Sequence, residues 1–265
     1  MIPPILAGKH HASPSVFRPE NLLREARRQR RLPEQAVPGV CILDPDGDIV
    51  RALRADGRGR RFPGWACYHT EMLTFDLAGE PAGIVSCAVG APFAVLVAEQ
   101  MFASGCRLLL SVTSAGRVAS DLPDGACFVL VERALRDEGT SYHYLPPGDA
   151  FAHADPALVD AAARVLAAAG LAVPRGPVWT TDAPFRETEE AIAWAGAQGV
   201  LAVEMEAAAL YAFARARDAA VLCLAHVTNR MARTEGDFEK GAADGADDAL
   251  RVLATLVAAL RRNPA

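Results

Sequence analysis

The stretch GVLAVEMEAAALYAFARAR, residues 199–217, decides the fold class. Its apolar run at 200–203 has the length and composition of a buried strand, and an Ala-rich segment of helical periodicity follows at once. Two acids, Glu204 and Glu206, stand between them on either side of Met205. A buried strand that passes directly into a helix predicts an α/β fold.

The same alternation of strand and helix runs through the rest of the chain. Short runs rich in Val, Ile and Leu predict strands at 38–44, 66–77, 82–89, 107–113, 126–131, 172–179, 200–204 and 220–228. Helical periodicity predicts helices at 19–31, 92–104, 156–169, 187–198, 205–217 and 241–262. A chain of 265 residues can be built around one core in this class, so we expect a single domain over residues 1–265.

Composition and charge exclude several classes of partner. The chain is 51% hydrophobic and 22% charged, with a net charge of −5, so it lacks the positive field that nucleic-acid polymers or acidic membranes require. The longest uncharged run, 82–98, is broken by Gly90 and Pro92 and does not predict a membrane span. The six cysteines have no zinc-site spacing, so we expect no metal and a cytoplasmic location.

Glu204 and Glu206 have two interpretations. Acids at the carboxyl end of a strand are costly without partners, and a ribose could supply them, since one carboxylate accepts hydrogen bonds from adjacent hydroxyls. Alternatively, both acids only stabilise the helix N-terminus through its dipole. The spacing alone leaves both interpretations open.

The strand predicted at 220–228 ends in Asn229 and Arg230. An amide and a guanidinium can read the oxygen and N–H positions of a heterocyclic base. An ordinary loop with a turn-favouring Asn and a solvent-exposed Arg explains the same residues.

Two further strand ends offer polar groups. Gly90 joins a strand to a helix N-terminus, where anions bind. The segment from Ser111 to Arg117 offers the hydroxyls of Thr113 and Ser114 at the same edge of the sheet. Ser114 lacks the G-x-S-x-G context of a serine hydrolase.

Three segments together resemble the nucleoside phosphorylase family, in its uridine phosphorylase-like branch. VEMEAAALY (203–211) is similar to the family's ribose-binding stretch, and WTTDAPFRET (179–188) and DEGTSYHYLPP (137–147) are similar to segments of that branch. The resemblance runs from about Val40 to the C-terminus, while residues 1–35 are less recognisable. It implies a three-layer α/β/α sandwich with a mixed, partly barrel-like central sheet, assembled as a homo-oligomer: a dimer, trimer or hexamer.

For the sugar, the resemblance implies that Glu206 binds the ribose hydroxyls, that Met205 packs on the sugar and that Glu204 is their neighbour in the pocket. His10 or His11 is expected to match the N-terminal histidine that, in some members, contacts the ribose bound by a neighbouring subunit.

For the base, the resemblance implies that Arg230 contacts a uracil-type ring and acts with Glu206 in catalysis. Asn229 stands where purine-specific members carry an aspartate, which favours a pyrimidine nucleoside. Phe185 and Arg186 are expected to line the base pocket, with Asp182 holding the loop.

For the acceptor, the resemblance implies inorganic phosphate as co-substrate and no organic cofactor. The expected phosphate-binding residues are Gly90, Ser111 and Arg117. The family's first loop ends in an arginine, whereas here it reads Asp44-Pro45-Asp46-Gly47-Asp48. The family takes a second phosphate-binding arginine from a neighbouring subunit, and the matching position in this chain falls near Tyr68 or His69. Phosphate-independent hydrolysis and non-catalytic nucleoside binding therefore remain as alternatives.

Overall fold

The computed structural model describes residues 2–231 and 235–260. Ten strands form one mixed sheet. They are β1 (Val40–Asp44), β2 (Arg60–Arg61), β3 (Leu73–Leu77), β4 (Glu80–Ser86), β5 (Leu108–Arg117), β6 (Cys127–Asp137), β7 (Phe151–His153), β8 (Arg175–Thr181), β9 (Ala202–Glu204) and β10 (Ala220–Asn229).

Five of these strands close into a ring. The order β10-β6-β8-β9-β5 is completed by a parallel pairing of β10 with β5, which makes this half of the sheet a small barrel. The sheet then continues from β5 through β1, β4, β3 and β2 as an open arm. Closure leaves the long strands of the ring without free edges, while the open arm ends in the short, exposed β2.

Eight α-helices of the described residues surround the sheet. They are α1 (Pro19–Arg30), α2 (Asp48–Ala55), α3 (Ala91–Ala103), α4 (Ser141–Tyr144), α5 (Pro156–Ala168), α6 (Glu189–Ala197), α7 (Ala207–Arg217) and α8 (Ala246–Leu260). The Asp155 and Thr188 side chains cap α5 and α6 by accepting hydrogen bonds from backbone N–H groups. The first seven residues of α7 are all buried, so this helix packs inside the fold.

The predicted α/β fold with a mixed, barrel-like sheet is confirmed. The strand predicted at 66–77 was too long, because only Leu73–Leu77 pairs in the sheet. Residues before it form a loop in which the Trp65 indole N–H donates to the Thr70 hydroxyl. The helix predicted at 241–262 begins only at Ala246, after a 3₁₀ turn at Ala242–Gly245.

Two helices were not predicted. α2 follows the acidic loop after β1, and its buried residues Ile49, Val50 and Leu53 are too few to give a strong periodic signal. α4 is only four residues long. Among residues 2–231 and 235–260, no helix combines the length and the apolar character that a bilayer crossing needs.

Candidate active site

The site residues lie where several strands end together. β1, β4, β5 and β10 are linked by parallel pairings, so their carboxyl ends meet at one edge. β9 runs antiparallel to β5, with Val203 opposite Gly116. The chain after Glu204 therefore continues alongside β5 toward Thr113. This places Glu204 and Glu206 at the same edge of the sheet.

Glu204 caps helix α7. One carboxylate oxygen accepts the N–H groups of Glu206 and Ala207 at 2.7 and 2.8 Å. The other accepts the hydroxyl of Thr180 on β8. The helix-stabilising interpretation thus describes the contacts of Glu204, and its carboxylate is satisfied by protein donors.

Glu206 points elsewhere. It stands at the N-cap position of α7 but makes no capping hydrogen bond with its side chain. Its two oxygens accept the N–H of Gly90 at 2.6 Å and the hydroxyl of Thr113 at 2.8 Å. The carboxyl therefore bridges the start of α3 and the middle of β5. Each oxygen keeps a lone pair for a further donor.

The two acids are buried and close enough to influence each other. Glu204 and Glu206 are only 3% and 1% exposed. Burial raises the pKa of Glu204. Burial raises the pKa of Glu206 too, and the charge of Glu204 raises it further. Their raised pKa values favour the protonated forms of both carboxyls, and shifts of this kind are typical of functional sites.

Three aspartates surround the loop between β1 and α2. Asp44 accepts the N–H groups of Gly47 and Val50 at 3.1 and 2.9 Å, which folds the loop around its carboxyl. Burial, with the charges of Asp46 and Asp48, raises the pKa of Asp44 from 3.8 to about 7. The Asp46 carboxylate accepts the N–H of Ser114 at 2.7 Å. Its charge also contributes to the raised pKa of Glu206.

Two cations near this loop, Lys240 and Arg51, are paired with its carboxylates. The Lys240 ammonium lies 2.6 Å from an Asp48 oxygen and 3.8 Å from an Asp46 oxygen. Arg51 pairs with the other Asp48 oxygen. The loop therefore presents carboxylates to the strand ends, and its positive charges are neutralised internally.

The residues predicted for phosphate have other partners. The Gly90 N–H is bound to Glu206. The Ser111 hydroxyl is buried and has no hydrogen-bond partner among the described residues. The Arg117 guanidinium donates to the carbonyls of Leu122, Pro123 and Gly125 at 2.6 to 3.0 Å. None of the three presents a free cation to the edge where Glu206 lies.

The predicted base-side residues lie at the end of β10 and after β8. The Asn229 amide donates to Thr228 and Ala115, and its oxygen accepts the N–H of Met231. Arg230 is mostly exposed and lies 3.4 Å from Asp124.

The loop after β8 holds the other predicted base contacts. Asp182 accepts the N–H of Gly139 at 2.8 Å, which ties this loop to the end of β6. Phe185 is 99% exposed and Arg186 is exposed beside it, while Met205 is half-buried next to the acids. The two loop residues are not packed against the Glu206 cluster.

Sequence reasoning missed the contacts that cross between distant segments. Lys240 stands 192 residues from Asp48 in the chain, and Asp46 stands 68 residues from Ser114. No local pattern encodes such pairs. The one available signal was the run of three aspartates, which requires counterions or donors wherever it folds.

A family model described as the phosphorylase superfamily matches residues 25–259. The chain belongs to this superfamily. A guanosine phosphorylase from Halorubrum lacusprofundi is 26% identical over 196 residues, which span 69% of this chain and 78% of the relative.

Solved structures of a phosphorylase and a nucleosidase share the fold of this chain at low sequence identity. A uridine phosphorylase from Vibrio fischeri matches with a TM-score of 0.70 and 20% identity, covering 86% of this chain and 93% of the other. A 5'-methylthioadenosine/S-adenosylhomocysteine nucleosidase from Neisseria meningitidis matches with a TM-score of 0.67 and 20% identity, covering 82% and 97%. The named proteins that this chain resembles thus include phosphorylases and a nucleosidase.

Within the described parts of the chain, no group of three or more His, Cys, Asp or Glu side chains is arranged to hold a metal ion. In the N-terminal segment, the His11 ring donates to the Tyr142 carbonyl at 3.1 Å.

Proposed function

We propose that this superfamily member cleaves the N-glycosidic bond of a nucleoside and that water takes up the sugar. The observation that carries the choice of water is the acidic loop. Asp46 occupies the Ser114 N–H, and Lys240 and Arg51 are paired with Asp48. A phosphate dianion would meet the Asp46 carboxylate there, and the described residues of this edge offer it no unpaired cation.

The sugar is held by Glu206 in this proposal. Its carboxyl is fixed by Gly90 and Thr113 and can accept hydrogen bonds from the 2′ and 3′ hydroxyls of a ribose. Cleavage builds positive charge on the ribose ring, which a preorganised carboxylate stabilises. Glu204 acts as a positioning residue, because it fixes the helix start from which Glu206 projects.

Water attacks the anomeric carbon as the bond to the base nitrogen breaks. In this proposal the Asp46 carboxylate, which is 30% exposed, accepts the proton of that water. The base leaves with the bonding electron pair and takes up a proton from solvent.

The base is proposed to be a pyrimidine. A purine leaves easily when its N7 is protonated, and the Asn229 amide at the end of β10 cannot supply that proton. A uracil-type base leaves with charge on its oxygens, which the Arg230 guanidinium can stabilise once Arg230 leaves Asp124.

Phosphorolysis is the second candidate. It is favoured by the superfamily's phosphorylase relatives, one of which is named for guanosine. Phosphate would then have to displace Asp46 from the Ser114 N–H.

One experiment separates these candidates. The protein is incubated with uridine, inosine and guanosine, with and without inorganic phosphate, and the sugar product is identified by mass spectrometry. We expect free ribose, at a rate independent of phosphate, and uridine cleaved fastest. Ribose 1-phosphate would establish phosphorolysis, faster cleavage of guanosine would reject the pyrimidine, and binding without turnover would reject an enzyme.

A further inference from the structure

A cavity lies away from the strand ends at which Glu206 and Asp46 meet. It has a volume of about 800 Å³ and lies between the N-terminal arm, defined as residues 2–18, and the outer face of α3. Its apolar lining comes from Ile5 and Phe17 of the arm, Leu22 of α1, and Val95 and Leu96 of α3. This volume is within the range of sites for drug-sized ligands.

The cavity is separate from the cluster around Glu206 and Asp46. Glu206, Asp46, Thr113 and Ser114 are absent from its lining. The superfamily match begins at residue 25, so the arm that forms one wall lies outside the matched region.

One end of the cavity is rich in basic groups. Lys9, His10, His11 and His143 line it together. The Lys9 ammonium donates to Nδ1 of His143 at 3.1 Å and has no carboxylate partner among the described residues. The His143 Nδ1 therefore carries no proton, and burial together with the Lys9 charge lowers the pKa of His143.

The acids of the cavity do not neutralise Lys9. Glu99 pairs with Arg217 at 3.2 Å and accepts the Tyr144 hydroxyl at 3.0 Å. Asp182 accepts the N–H of Gly139. At this end of the cavity, the Lys9 ammonium therefore has no carboxylate partner among the described residues and lies beside three imidazoles. This arrangement favours the binding of an anion.

Gln100 provides an independent sign of a missing ligand. It lines the cavity and is 2% exposed. Its amide N–H donates to the Leu96 carbonyl at 3.1 Å, but its oxygen has no hydrogen-bond partner among the described residues. A buried acceptor without a donor is costly, and a ligand N–H or O–H would satisfy it.

We propose that this cavity is a binding site for an aromatic organic anion that carries a hydrogen-bond donor. The anionic group binds at Lys9 and His143. The ring packs between Phe17 and Leu96, and the donor reaches the Gln100 oxygen. The site is distinct from the one proposed for the nucleoside and does not depend on that proposal.

The probe is 4-amino-1-naphthalenesulfonate, with 1-naphthalenesulfonate lacking the donor and 1-naphthylamine lacking the anion. Binding to the full chain is measured by calorimetry and by the probe's fluorescence. We expect saturable binding of the first compound and weaker binding of the other two. Lys9→Ala should weaken binding about tenfold or more, because a charge-assisted contact is lost.

Arg251→Ala is the matched control, since it removes an exposed cation on α8 outside the cavity lining. It should bind the probe like the wild type, and so should Glu206→Gln. Gln100→Leu should abolish the advantage of the amino-bearing probe, with circular dichroism checking its fold. Absence of saturable binding, equal binding by Lys9→Ala, or displacement of the probe by a nucleoside would overturn the proposal.

Discussion

The role of Glu206 can be tested by substitution, because its two hydrogen-bond partners can also bind an amide. In Glu206→Gln the amide oxygen can still accept the Gly90 N–H, while the amide N–H₂ can donate to the Thr113 hydroxyl, which rotates to accept. The fold should therefore survive. The charge that stabilises the sugar cation is lost, so kcat/KM for the nucleoside should fall about tenfold to a hundredfold.

The control for this substitution is Glu190→Gln, an exposed acid in the first turn of α6. It should leave kcat/KM unchanged. The wild-type pH profile adds a second readout. The pKa of Glu206 is raised by burial and by Glu204, so activity should rise with pH through a midpoint above the ordinary carboxyl value of 4.5. A Glu206→Gln enzyme with wild-type kcat/KM would leave Glu206 with a structural role only.

At the scale of elements, the loop between β1 and α2 makes stability depend on pH. The pKa of Asp44 is 3.8 ordinarily and about 7 in the folded protein. The folded state therefore holds a proton that the unfolded chain releases, and this stabilisation is complete below about pH 3.8 and is lost as pH rises toward 7. The loss corresponds to up to about 4 kcal/mol.

Urea unfolding at pH 5 and pH 8 measures this effect. The wild type should lose stability between the two, and Asp44→Asn should show a flatter dependence. The variant also loses one acceptor for the Gly47 or Val50 N–H, so its stability at pH 5 should be lower. Asp76→Asn, an exposed aspartate on β3 that bonds its own turn, is the control. An Asp44→Asn slope equal to that of the wild type would contradict the raised pKa.

The elements also show what the sequence could predict. The buried strands and long helices were predictable, because their apolar periodicity is local, and the α7 start was marked by its acids. The different contacts of the Glu204 and Glu206 side chains were not predictable, because they depend on Thr180 from β8 and Thr113 from β5. Closure of the barrel through β10 and β5 brings these strands together, and no short stretch of sequence encodes it.

At the scale of the whole molecule, exposed apolar side chains lie near the proposed sugar site. We use the term patch for the exposed Tyr68 and Val89 and the half-buried Phe93, whose ring lies 6.4 Å from the ring of His69, the neighbour of Tyr68 in the chain. Val89 precedes Gly90, whose N–H holds Glu206. A second copy of the chain seated on this patch would bury apolar surface and lie beside the sugar, which agrees with the proposed homo-oligomer.

Sedimentation velocity at micromolar concentration should therefore show at least a dimer. Tyr68→Asp places a charge in the patch and should weaken association about tenfold or more. Trp194→Asp, on the exposed face of α6, is the matched control and should leave the mass unchanged. Because the partner would lie beside the sugar, specific activity of Tyr68→Asp should fall on dilution together with the dimer fraction. A wild-type monomer with full activity would show that each subunit carries a complete site.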